Sequence, residues 1–90
     1  MPEINATDLE NQIREIICKT TGMEMEAITF EGHFYRNFGI DSIKGIEMAV
    51  ALQEKYDIRF DDLIIPQLTN VKLVAQEVNR LLNLKKNKPK

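Results

Sequence analysis

In three stretches of this ninety-residue chain, apolar residues recur at spacings of three and four, the period of helices with one buried face. The first stretch is Leu9, Ile13, Ile16, Ile17 and Thr20. Ahead of it, Thr7-Asp8-Leu9-Glu10 has the spacing of a capping box, in which the Thr7 hydroxyl accepts from the Glu10 amide and the Glu10 carboxylate accepts in return. Gly22 supplies a left-handed stop. A second helix starts at Asp41 or Ser42, either of which can cap it, and runs to about Tyr56. A last helix, capped by Thr69 or Asn70, carries the stripe Val71, Val74, Ala75, Val78, Leu81 and Leu82. Between these two, Asp61 and Asp62 favour a short helical turn to about Ile65, which Pro66 limits. Residues 23–39 follow no period. A connection this long in a small domain is functional or disordered. Met23, Met25, Ile28, Phe30, Phe34 and Phe38, spread along it, predict a loop pinned onto the core. The expectation is an all-α fold: a small four-helix bundle of three long helices and one short, with a long first loop.

Composition narrows the class. The chain is 43% hydrophobic and 29% charged, as in a soluble globular protein, and is long enough for one domain with a modest core. Its net charge of −2 is unevenly placed. Residues 1–84 hold all fourteen acids against eight Lys and Arg, while the last six residues add four lysines and no acid. An acidic body neutralises phosphates poorly, so nucleic acid is not an expected partner. The tail KKNKPK has no apolar anchor, which sets the expected boundary of an ordered domain, 1–84, and a disordered basic tail, 85–90. The single Cys18 allows no internal disulfide and no metal cluster. It lies near the first apolar stripe as a small core residue, and a reducing cytoplasm is the default compartment. The start MPEINATDLE has no basic n-region, and no stretch is long enough to span a bilayer. A cytoplasmic monomer is expected.

The second helix differs from the others. At about 100° per residue, its apolar positions cover more than half the circumference, so one margin should stay exposed in a small bundle. Ile43 and Val50 form that margin, beside Glu47 and Glu54, with Lys44 and Lys55 on the opposite flank of the polar arc. Apolar knobs beside carboxylates suit a basic, grooved partner. Periodicity alone favours the plainer reading, a wide core face with a solvated flank. At the helix start, the Ser42 hydroxyl would project among unpaired backbone amides, where an attached anion is stabilised. Read alone, an Asp-Ser pair there is an ordinary cap.

Asn37-Phe38-Gly39-Ile40-Asp41-Ser42-Ile43, continuing through Lys44-Gly45-Ile46-Glu47-Met48-Ala49-Val50-Ala51-Leu52, resembles the attachment site of acyl carrier proteins. The likeness extends to Glu54-Lys55-Tyr56-Asp57-Ile58 and to Leu68-Thr69-Asn70-Val71, and so covers roughly residues 7–84. It implies a four-helix carrier fold with a long first loop, in agreement with the periodicity. It implies that Ser42, preceded by Asp41, bears 4′-phosphopantetheine, whose thiol carries acyl groups as thioesters. It further implies that Ile43, Glu47, Val50 and Glu54 engage partner enzymes. Those partners would be a phosphopantetheinyl transferase and the acyl-transferring and condensing enzymes of fatty acid, polyketide or related lipid biosynthesis. Lys44 departs from the acidic or polar residue usual in the family, and Gln53 and Lys55 replace acids common late in this helix. Asp-Ser-Ile-Lys resembles the form found in polyketide and polyunsaturated fatty acid carriers.

No catalytic residue is expected, and the chain reads as a carrier rather than an enzyme. Ser42, Asp41 and His33 do not make a hydrolase triad, since G-x-S-x-G is absent and a short helical chain has no oxyanion pocket. His33 is assigned no role. The alternative within the carrier class is a peptidyl or aminoacyl carrier, although such domains more often show Gly-Gly-His-Ser or Gly-Gly-Asp-Ser before the helix.

Overall fold

The computed structural model describes residues 6–87, with side chains over 7–85. It has four α-helices, α1 (Ala6–Thr21), α2 (Phe34–Phe38), α3 (Ser42–Tyr56) and α4 (Val71–Asn87), and short 3₁₀ turns at Met25–Ala27 and Ile65–Gln67. Among the described residues there is no strand. The three long helices occupy the three periodic stretches, and α1 packs against both α3 and α4. The core is made by Leu9, Ile13 and Ile17 of α1, Met48, Leu52 and Tyr56 of α3, and Val71, Val74, Ala75 and Val78 of α4. Cys18 lies half-buried against this core, and burial pushes its thiol pKa up. No helix among the described residues is long and apolar enough to cross a membrane.

The helix ends resolve the alternatives left by the sequence, and one of them differs. The carboxylate of Asp41, not the Ser42 hydroxyl, caps α3 by accepting from the Lys44 amide at 2.9 Å. Asn70 does the same for α4, its Oδ1 accepting from the Leu73 amide at 2.8 Å. Gly22, at φ 79, follows the end of α1 as expected. Thr7 is not an N-cap, because α1 already includes Ala6 and places Thr7 inside the first turn.

The one short α-helix is not where the acidic pair predicts it. It is α2, inside the first loop. Residues 61–67 instead form a turn and a 3₁₀ segment. The Asp61 carboxylate accepts from the Leu63 amide at 2.8 Å, and Pro66, with no N–H, allows no longer helix. The first loop is pinned as its apolar residues suggest. Ile28 is fully buried, Phe34 is buried, and Met23, Phe30 and Phe38 pack against the core. Arg14 holds the loop from below: its Nε donates to the Ile28 carbonyl at 2.7 Å and its Nη2 to the Met25 carbonyl at 2.5 Å, with its guanidinium 5.1 Å from the Phe30 ring centre.

Residue 84, the expected boundary, falls within α4. α4 continues to Asn87, and Lys85 donates to the Asp57 carbonyl at 2.7 Å and pairs with its carboxylate at 3.2 Å, closing off the end of α3. The remaining tail, 88–90, lies outside the described residues.

Tyr56 gives the fold a dated weakness to alkali. Its hydroxyl donates to Gln12 Oε1 at 2.7 Å, and burial, aided by the Glu15 charge, pushes its pKa from 10.0 up to about 12. The folded state therefore favours the protonated phenol. That preference is fully present below pH 10 and is lost as pH rises through about 12, a linkage of about 2–3 kcal/mol at most. Denaturant midpoints measured between pH 9 and 12 should fall steeply in the wild type and less steeply in Tyr56→Phe. Equal slopes would contradict this account.

Candidate functional site

The site is built where the first loop meets the start of α3. His33, to which the sequence assigned no role, creates α2: its Nδ1 accepts from the amides of Tyr35, at 3.2 Å, and Arg36, at 3.1 Å. Its own amide donates to Asn37 Oδ1 at 2.6 Å. The Phe34 amide donates to the Thr69 carbonyl at 2.8 Å, which ties α2 to the segment leading into α4. Gly39, at φ 68, closes α2 in the left-handed region where a side chain would be strained. The chain then buries Ile40 and emerges at Asp41 and Ser42. Nothing in a five-residue stretch such as Phe34–Phe38 has a period to read. The signal that could have revealed it is the pair of punctuating residues, a capping His33 and a stop at Gly39.

Ser42 is the first residue of α3 and is exposed. Asp41 takes the Lys44 amide with its side chain and the Gly45 amide with its carbonyl, at 2.9 Å each. The amides of Ser42 and Ile43 have no acceptor within the helix, as for any helix start. A negative group on the Ser42 oxygen would sit at the positive end of the α3 dipole.

Two depressions meet at Ser42. One is a cleft of about 350 Å³ that runs inward along α3, walled by Ile46, Met48, Ala49 and Leu52 of that helix, and by Phe34, Phe60, Ile65, Pro66, Leu68 and Val74 from elsewhere. Ser42 is the one polar residue among its walls. The other is a more open groove of about 450 Å³ along α2, lined in part by His33, Tyr35, Ile40, Asp41 and Thr69. Ser42 and Gly45 border both. Gly45 costs the helix about 1 kcal/mol relative to alanine.

The outer side of α3 is apolar over a wider arc than the pattern suggested. Ile43 is 67% exposed and Val50 46%, as expected for the margin, but Ile46 is also 61% exposed. Glu47 and Glu54 are exposed beside them. Lys44 does not keep to the opposite flank. Its ammonium pairs with Glu47 at 3.3 Å, because residues three apart on a helix are only about 60° apart around the axis. The structure thus groups Ser42 with Asp41, and Ile43, Glu47, Val50 and Glu54 along one exposed strip of the same helix.

Comparison with known proteins gives the family of the chain. A family model described as Phosphopantetheine attachment site matches residues 11–78. An acyl carrier protein from Cyanidium caldarium is 21% identical over 84 residues, covering 93% of this chain and 98% of its own length. The chain belongs to the acyl carrier protein family, carriers whose covalent prosthetic group is 4′-phosphopantetheine.

The residues present fit that group. A free hydroxyl stands at a helix N-terminus suited to a phosphodiester, and an apolar cleft opens beside it for whatever hangs from the far end.

Proposed function

We propose that this chain carries acyl intermediates on 4′-phosphopantetheine attached to Ser42, presents them to acyl-transferring and condensing enzymes, and catalyses no step itself. One observation carries the reading: the exposed Ser42 hydroxyl stands at the mouth of a cleft whose other walls are apolar. Bound there, the prosthetic group supplies a terminal thiol that holds the acyl chain as a thioester. The role of this chain's own residues is to bind and shelter. The cleft of about 350 Å³ offers an alkyl chain apolar walls away from water. Each methylene buried there is favoured by about 0.8 kcal/mol over water. Asp41 holds the first turn of α3 in place, so Ser42 is offered at a fixed position. No base lies within the hydrogen bonds of Ser42, and its activation as a nucleophile falls to a separate phosphopantetheinyl transferase.

Ile43, Val50, Glu47 and Glu54 form the surface offered to those enzymes. The Lys44–Glu47 pair cancels part of its acidity, which favours partners of a specialised lipid or polyketide pathway over enzymes with a uniformly basic groove. The alternative, an aminoacyl or peptidyl cargo, finds no polar side chain in the walls of the cleft other than Ser42 at its mouth. The test is the cargo. Protein isolated from its own host should show, by intact mass before and after hydroxylamine, an apolar acyl group released from a thioester. An aminoacyl group in its place would overturn the acyl reading in favour of the alternative.

A further inference from the structure

Three of the four glycines have an evident structural reason. Gly22 and Gly39 take positive φ, and a methyl group on Gly32 would fall 2.4 Å from the Phe38 ring. Gly45 has no such reason. It is helical, and a methyl group placed on it would meet no atom within 4 Å. A helix interior tolerates glycine only at a cost to stability, so its presence here asks for another explanation.

Its position supplies one. Gly45 lies one turn after Ser42 on the same side of α3. It borders both the groove along α2 and the apolar cleft, and Ser42 and Gly45 are the only residues of α3 that border both. Between groove and cleft, the α3 side beyond Ser42 is therefore bare backbone. An arm leaving Ser42 along the groove, past Tyr35 and Thr69, passes beside Gly45 where it turns towards Met48, Leu52 and Phe60 in the cleft.

We propose that Gly45 is a specificity-determining residue: its missing side chain leaves open the sill over which the acyl end of the arm passes into the cleft. The inference rests on the acyl-carrier reading above and adds to it the residue that sets which acyl ends are sheltered. A methyl at 45 narrows the passage, and a branched butyl closes it.

The test compares wild type, Gly45→Ala and Gly45→Leu, each brought to full loading from octanoyl coenzyme A by a phosphopantetheinyl transferase, as read by intact mass. Two quantities are measured: the melting temperature of the apo and octanoyl forms, and the rate at which hydroxylamine cleaves the thioester. Gly45→Ala should raise the apo melting temperature by about 4–8 °C, because alanine favours helix and its methyl meets open space. The rise on octanoylation should nevertheless shrink from wild type to alanine and vanish in leucine, with hydroxylamine cleavage several-fold faster in leucine than in wild type. A Gly45→Leu protein that is stabilised and protected by octanoyl as the wild type is would overturn the proposal. A wild type that gains neither stability nor protection would overturn the sheltering reading itself, and the sill with it.

Discussion

Ser42→Ala is expected to abolish transfer of phosphopantetheine from coenzyme A altogether while leaving the fold intact. The two halves of this expectation have different origins. Loss of transfer is complete because the prosthetic group needs an oxygen at this position, and alanine provides none. Retention of the fold follows from the division of labour at the helix start: Asp41, not Ser42, accepts the Lys44 amide, and the Ser42 side chain is exposed. The substitution removes no cap and no core contact, so stability should change by no more than about 0.5 kcal/mol. Circular dichroism and a denaturant titration check the second half, intact mass after incubation with the transferase the first. Asp41→Ala should behave in the opposite manner, since loss of an N-cap costs about 1 kcal/mol while the hydroxyl remains.

The second large effect is on stability. Ile28→Ala should destabilise the protein by about 2–5 kcal/mol, the range for emptying a fully buried isoleucine site. For a small domain whose whole stability is about 5–15 kcal/mol, that lowers the melting temperature by about 10 °C or more. Ile28 is fully buried yet belongs to the first loop rather than to any long helix. Its carbonyl also anchors Arg14, and two residues on the Phe30 carbonyl accepts from the Lys72 amide at 3.1 Å. Loosening this point frees the segment that delivers α2, and with it Phe34, to the cleft. A melting curve of Ile28→Ala that overlays the wild type would show that the loop is not part of the core.

The sequence made some parts of this arrangement legible and hid others. The three long helices are legible because each stripe is long enough to show its period and each is buried against the other helices. The start of α3 is legible because its motif, Asp41-Ser42 after Gly39, is contiguous. α2 is not. It has five residues, and its formation depends on the His33 cap and on a backbone hydrogen bond from Phe34 to Thr69, thirty-five positions away. The tie of α4 to the end of α3 was hidden for the same reason, since the partner of Lys85 is Asp57 on another element. The cleft has no sequence signature at all: its walls come from α2, α3, α4 and the segment 60–68, and only their packing makes a space. Gly45 illustrates the limit well. In the pattern it is one more small residue of an apolar arc, and its significance depends on what surrounds it.

The central claim is that the covalent arm is on Ser42 and nowhere else. The most direct measurement is to load the wild-type protein from coenzyme A with a phosphopantetheinyl transferase and locate the added group residue by residue through fragmentation of the intact chain. The account predicts one phosphopantetheine per chain, on every molecule that reacts, with all fragments containing Ser42 shifted in mass and all others unshifted. A group found on any other residue, or a folded protein that accepts none, would contradict it.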